Sequence, residues 1–372
     1  MKIVHSLHYA CDFFVLWAFG RLALLGQNSY DQIALRSILD SLGIGFSSDP
    51  LSGHVPWIIW LYAIFSIFPF PISRVLWLAF SISSLTSYAW WSIRYNYLRS
   101  NLSEVQWCPI MIAIFSFSPL LYTVHFGQSN FLMCLGLMGF LYYRGKNDSR
   151  SAGLSLSFML VKPHLFAPLF AFLATQAVYH RKFTLLGWCV FAVVFQLGLT
   201  GLLSPATVSA YPAEVYRAWS ATQGAYMPSA SLLIAHFTNI ASLRPALLLF
   251  GVLAGVALGI RNKDTFNRSI SILMPLGFLC APFCWGHTFV VLLPQYLKLS
   301  SVLYSRNKRA YLLFATLFFS SQVWIWSDSS MSKDAYNVII PLGIFWASIV
   351  MWRRKLDEDL SPELRGSALK LS

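Results

Sequence analysis

The sequence is poor in charge. Of its 372 residues only 11% are Asp, Glu, Lys or Arg, while 57% are hydrophobic and 16% aromatic. Soluble domains carry about 25% charged residues. So little polar surface cannot cover a water-soluble globule, and the mean hydropathy of +0.59 agrees. Acidic residues are the scarcest, 14 against 27 basic, for a net charge of +13. No D-x-D pair occurs ahead of the polar tail. The six cysteines are scattered through apolar segments, and Cys280 and Cys284, four apart across Pro282, make no zinc pattern. No basic region precedes an apolar core at the N-terminus, so a cleavable signal peptide is not evident. There is no internal repeat of the kind many secondary transporters carry, and no separate soluble domain.

What the chain does have is long apolar runs, at about 75–93, 107–124, 129–143, 152–161, 163–179, 183–203, 243–260, 269–281, 288–305, 310–326 and 337–352. Most approach the length a bilayer core requires of a helix. The expected fold is therefore an all-α polytopic membrane protein with about eleven membrane helices. Basic clusters lie between the runs: Arg94 and Arg99; Arg144, Lys146 and Arg150; Arg181 and Lys182; Arg261, Lys263 and Arg268; Arg306, Lys308 and Arg309; Arg353, Arg354 and Lys355. The alternate connections at 124–128, 204–242, 282–287 and 327–336 are nearly free of Lys and Arg. Placing every basic loop in the cytoplasm gives one consistent topology in a cell membrane, with residues 1–352 as a single membrane-embedded domain and 353–372 as a cytoplasmic tail. The same distribution argues against nucleic acid as a partner, because no basic run is interleaved with aromatics on a soluble face.

Residues 150 and 180 both fall inside on this scheme, so 151–179 must cross twice or dip in and return. The break falls at Lys162-Pro163, since proline cannot continue the helix bonding of the preceding turn. The run 57–70 (WIIWLYAIFSIFPF) is short for a span and rich in Trp and Phe. It reads as a juxtamembrane helix in the outer interface, where amphipathic aromatics prefer to sit. The regions 26–74 and 204–242 are then extracytoplasmic.

Among the outer acids (Asp12, Asp31, Asp40, Asp49, Glu214, Asp328 and Asp334), Asp12 stands apart, set in the apolar stretch Cys11-Asp12-Phe13-Phe14-Val15-Leu16-Trp17. A carboxylate there loses hydration and becomes a stronger base when ionised. Asp before an apolar run is also an ordinary N-cap, and the two roles are compatible. His8, four residues earlier, is weak evidence for a metal. A lysine at the membrane centre costs about 2.5–3.5 kcal/mol on insertion scales, so Lys162 calls for a partner or a task; the alternative is a side chain snorkelling to the outer headgroups.

The stretch Asp12 to Asp31, D-F-F-V-L-W-A-F-G-R-L-A-L-L-G-Q-N-S-Y-D, resembles the first extracytoplasmic segment of glycosyltransferase family 87, in the GT-C superfamily. The likeness continues with Gly127-Gln128-Ser129-Asn130, a basic turn from Arg144 to Arg150, Ala152-Gly153 and Lys162-Pro163. It ends with Pro282-Phe283-Cys284-Trp285-Gly286-His287, similar to a P-x-S-W-x-H signature. The resemblance implies a GT-C-type bundle and an extracytoplasmic site near the membrane surface. It also implies a polyprenyl-phosphate-linked sugar donor, with mannose foremost, and a lipid or glycan acceptor. Asp12 is then the general base of an inverting transfer that needs neither metal nor cofactor, assisted by His287. Lys162 is the implied cation for the donor phosphate, with His164 beside it and Arg21 as a second candidate. Gln128, Asn130 and Trp285 complete the implied substrate contacts, although Gln128 and Asn130 also suit plain helix-to-helix hydrogen bonding.

The chain departs from that pattern in three places. Cys284 stands at the usual serine, and Thr288 where a second histidine is often found. Only eleven residues precede Asp12, where the family places a membrane helix. Either that helix lies upstream or has been lost, or residues 4–25 span the bilayer; the missing helix ranks first. Arg21, nine residues from Asp12, falls on the opposite face of a straight helix. The reading from another class is a transporter or lipid-sugar flippase using Lys162, His287 and Asp12 as an intramembrane relay.

Overall fold

The computed structural model describes residues 11–43, 54–97, 107–221, 243–261, 266–309, 311–316 and 339–353, with a few isolated positions between 229 and 240. All the regular elements there are helical. The chain divides into two compact units, one formed by 1–85, 120–162 and 183–225, the other by 86–119, 163–182 and 226–372. His8 and the run 317–338 lie outside the described residues.

The first unit is built around α1 (Cys11–Leu24). Phe13, Phe14, Val15, Leu16, Trp17, Ala18 and Phe19 are all buried, as expected of a helix that is apolar on every side. Phe13 stacks on Trp77 at 5.1 Å and Phe14 on Phe70 at 4.5 Å. After a short turn α2 (Gln32–Ser41) begins, capped by the Asp31 carboxylate, which accepts from the Ile33 and Ala34 amides. Asp31 thus has an ordinary structural task.

A 3₁₀ turn at Pro56–Ile58 leads into α3 (Ile59–Ser66). The chain then bends by 119° into α4 (Phe70–Tyr97), so the aromatic run does not continue straight into the next helix. Helices α1 and α3 approach closely at Gly20, where a Cβ would run into the Tyr62 carbonyl and Ser66 Oγ. Ser66 Oγ in turn donates to the Trp17 carbonyl at 2.7 Å.

The expected run 107–124 is two helices, α5 (Trp107–Ser116) and α6 (Pro119–His125). Pro119 disfavours helical geometry at the residue before it, which places the break at Phe117-Ser118. Then come α7 (Asn130–Gly145), α8 (Ser149–Ser157, capped by Asp148), α9 (Ala167–His180), α10 (Thr184–Leu203) and α11 (Pro205–Ala221). In the first unit α8 packs between α7 and α10. Gly153 permits the second contact, because a Cβ there would strike the Leu185 carbonyl. Gln196 Nε2 donates to Ser157 Oγ at 3.1 Å across the same interface.

The expected break at Lys162-Pro163 is present. Phe158–Val161 and Pro163–Leu165 are 3₁₀ turns, and Lys162 lies between them with φ −134° and ψ 77°.

The second unit pairs α9 with α12 (Leu243–Arg261) through Gly251, Gly255 and Gly259, spaced four apart as small residues are in close membrane helix contacts. Added carbons at Gly255 and Gly259 would meet the Pro168 carbonyl and Thr175. The unit continues with α13 (Phe266–Cys280), α14 (Leu293–Arg306) and α15 (Ile339–Arg353). The expected run 288–305 opens as a 3₁₀ turn, Gly286–Leu292, because Pro294 sits in the first turn of α14.

Among the described residues two helices, α10 and α12, are long and apolar enough to cross a bilayer, and the bent pair Pro56–Ser66 with Phe70–Tyr95 adds a third when taken as one span. Ser269–Cys280 and Ile340–Val350 are shorter apolar helices. Both long helices expose apolar side chains outward: Val190, Phe191, Val194 and Phe195 on α10, Leu249, Phe250 and Leu253 on α12. Rows of exposed apolar side chains on membrane-length helices suit contact with lipid.

Candidate functional site

In the first unit several polar side chains converge on α1. Asp12, half-buried, lies within the described helix, and its Oδ2 accepts a hydrogen bond from Gln128 Nε2. Gln128 is brought there by the turn before α7. Gly127 takes a left-handed conformation (φ 65°), and its carbonyl accepts from Trp77 Nε1 at 2.8 Å. Trp77 is itself wedged between Phe13 and Phe131. The apolar packing around α1 therefore fixes where the amide of Gln128 meets the carboxylate.

Two acceptors and a donor are left open beside this pair. Gln128 Oε1 and both amide atoms of Asn130 are buried without a hydrogen-bond partner among the described residues. Leaving such groups unmade costs about 1–3 kcal/mol each, and a sugar carries hydroxyls that match them.

Sequence reasoning missed two residues of this cluster, His54 and Tyr62. The His54 ring packs edge-on against Phe19 at 5.8 Å and against Tyr62 at 5.8 Å. Its Nδ1 lies 3.3 Å from the Tyr62 hydroxyl, and its carbonyl accepts from Tyr30 at 2.8 Å. Burial, and then the charge of Lys162, pushes the imidazole pKa down to about 3, so the ring is neutral at physiological pH. The only sequence signal was a histidine three residues ahead of an aromatic run.

Arg21 is not brought to this cluster. It is exposed, in the last turn of α1, on the face opposite Asp12.

In the second unit His164 is half-buried, with its ring 4.0 Å from that of Phe283. Trp285 and His287 lie parallel with centroids 6.4 Å apart, and His287 is buried in the 3₁₀ turn. Cys284 Sγ lies 2.9 Å from Thr288 Oγ1. Arg244, which also escaped the sequence reading, is buried and donates from Nε to the Pro282 carbonyl at 3.1 Å. It therefore anchors the start of the segment that carries Trp285 and His287. Among the described residues no three of His, Cys, Asp or Glu converge as metal ligands would.

The model of glycosyltransferase family 87 matches residues 55–282. That stretch contains Gln128, Asn130, Lys162 and His164, and leaves Asp12, Arg21, Trp285 and His287 outside it. Searches of curated proteins and of solved structures give no match. With more than half its length matched and with membrane-type helices in its fold, the chain belongs to glycosyltransferase family 87 and is a membrane glycosyltransferase.

Proposed function

We propose that the protein transfers a hexose, mannose in the first instance, from a polyprenyl-phosphate donor to a lipid or glycan acceptor on the extracytoplasmic side of the cell membrane. Residues 1–352 act as one catalytic domain of the GT-C type, and the apolar runs make about eleven spans with the tail 353–372 in the cytoplasm. The observation that carries the reading is the hydrogen bond from Gln128 to Asp12, which joins two separate family-like motifs at one carboxylate.

Asp12 removes the proton from the acceptor hydroxyl as that oxygen attacks the anomeric carbon. The bond from that carbon to the phosphate oxygen breaks with inversion, and polyprenyl phosphate leaves with the bonding pair. Gln128 holds the carboxylate in orientation through its amide N–H. Lys162 offsets the charge growing on the phosphate. Gln128 Oε1 and Asn130 receive sugar hydroxyls. His287 and Trp285 complete the donor or acceptor contacts, with His164 beside Lys162. Arg21 is left to the lipid headgroups.

The test is to incubate the purified protein in lipid nanodiscs with a radiolabelled polyprenyl-phosphate mannose and a membrane lipid extract. Label should pass into a lipid or glycan product with the opposite anomeric configuration. A product that retains the donor's configuration would contradict the single-displacement mechanism. Absence of transfer from every polyprenyl-phosphate sugar, with transfer from a nucleotide sugar, would contradict the donor class.

A further inference from the structure

We infer that the start of α7 is an oxyanion site and that it receives the phosphate of the lipid-linked donor. The inference rests on the donor proposed above, and it names a part of this chain other than Lys162 that binds the phosphate.

The turn between α6 and α7 divides its backbone donors in two. Gly127, left-handed at φ 65°, closes α6: its amide donates to the Val124 carbonyl at 3.1 Å, and that of Gln128 to the Thr123 carbonyl at 3.0 Å. The next three amides, of Ser129, Asn130 and Phe131, open α7, where no earlier turn supplies carbonyls to accept them. Among the described residues none of the three donates to an acceptor, and the first that does is Leu132, to the Ser129 carbonyl at 3.0 Å. All three residues are completely buried. Buried amides left open in this way are rare in folded proteins.

The side chains at this end point the same way. Ser129 occupies the N-cap of α7, where a serine hydroxyl ordinarily accepts from an amide two or three residues on, yet it makes no such bond. Its Oγ and both amide atoms of Asn130 are buried without a hydrogen-bond partner among the described residues. Cα–Cβ bonds in a helix tilt toward its N-terminus, so these side chains lie at the end where the amides are open. Three backbone N–H groups, a hydroxyl and a carboxamide N–H therefore gather at the positive end of a 16-residue helix. Sugar hydroxyls need acceptors as much as donors, whereas so large an excess of donors suits an anion, and a helix start is a ready place for phosphate. The position also suits the reaction. Trp77 holds the Gly127 carbonyl and stacks on Phe13, the neighbour of Asp12, while Gln128 reaches Asp12 itself. Gln128 Oε1 and Asn130 Oδ1 remain for the hydroxyls of the sugar.

The experiment uses the full chain in nanodiscs and compares binding of a short-chain polyprenyl monophosphate, the uncharged polyprenol of equal length and inorganic phosphate. Wild type should prefer the polyprenyl phosphate to both. Ser129→Ala should lose about tenfold of the preference over polyprenol, as expected for one hydrogen bond to a charged group. Ser129→Asp is the sharper variant, because its carboxylate caps α7 and takes the place of the anion. It should lose at least about a hundredfold in phosphate binding, keep polyprenol binding, and unfold no earlier than wild type. A folded Ser129→Asp protein that binds the phosphate as wild type does would overturn the site. So would a Ser129→Asp protein that unfolds well below wild type while Ser129→Ala keeps the full preference, because an anion site accepts a carboxylate. Inorganic phosphate binding as tightly as the polyprenyl phosphate would overturn the assignment to the lipid-linked donor in favour of free phosphate. A wild type that binds polyprenyl phosphate and polyprenol alike would instead count against the proposed donor.

Discussion

Replacing Gly20 by Ala tests how the site is held. The new Cβ would come closer than 3.0 Å to the Tyr62 backbone and to Ser66 Oγ. Ser66 can rotate away, although doing so disturbs its 2.7 Å bond to the Trp17 carbonyl, worth about 1 kcal/mol. The Tyr62 carbonyl is helix backbone and moves only if α3 moves with it. Overpacking of this kind costs about 1–3 kcal/mol, while Ala in place of Gly inside a helix returns about 0.5–1 kcal/mol. The net expectation is a destabilisation of about 1–3 kcal/mol. The same shift of α3 separates Tyr62 from His54. The measurement is unfolding in detergent followed by circular dichroism, paired with sugar transfer. Gly198→Ala on α10 is the control, because its Cβ meets nothing within 4 Å and should leave stability equal or slightly raised. The reasoning is refuted if Gly20→Ala unfolds with the wild-type midpoint and retains wild-type transfer.

Arg244→Met removes the Nε donor from the Pro282 carbonyl, and stability should fall by about 1.5–3 kcal/mol, the range for hydrogen bonds to charged groups. Arg21→Met, at an exposed position, should stay within about 0.5 kcal/mol by the same unfolding measurement. The lowered pKa of His54 gives a further expectation. The unfolded imidazole takes a proton near pH 6.5 while the folded one, facing Lys162, Tyr62 and Phe19, resists it until about 3. Unfolded chains therefore bind more protons in that window, and stability falls as pH drops below 6.5. His54→Gln should flatten the decline between pH 6.5 and 5 in a pH series of unfolding midpoints; an unchanged slope would assign the decline to other groups.

Helix positions were legible because apolar runs and basic loops alternate so regularly. The runs at 183–203 and 243–260 became α10 and α12 within a residue or two. Where the reading was too smooth, proline explains it. Pro119 splits one expected helix and Pro294 turns the start of another into a 3₁₀ turn. Asp12 was legible as a carboxylate in the wrong company, and Gln128 through a motif. Their contact was not, since it depends on Trp77 reaching the Gly127 carbonyl from 50 residues away. His54, Tyr62 and Arg244 were missed for a related reason: their importance comes from tertiary neighbours, Phe19, Lys162 and Pro282, that local sequence does not announce.

The central claim is that the carboxylate held by Gln128 is the base. It is tested most directly by comparing Asp12→Asn, Asp12→Ala and wild type in transfer from a radiolabelled polyprenyl-phosphate sugar, alongside donor binding and unfolding midpoints. Asn keeps the shape of the side chain and an oxygen for the Gln128 amide, so folding and donor binding should persist. Transfer should fall by about 100- to 10,000-fold, the usual contribution of a general base. If Asp12→Asn retained more than about a tenth of wild-type turnover, Asp12 would be structural, and Glu214 would be the next acid to test.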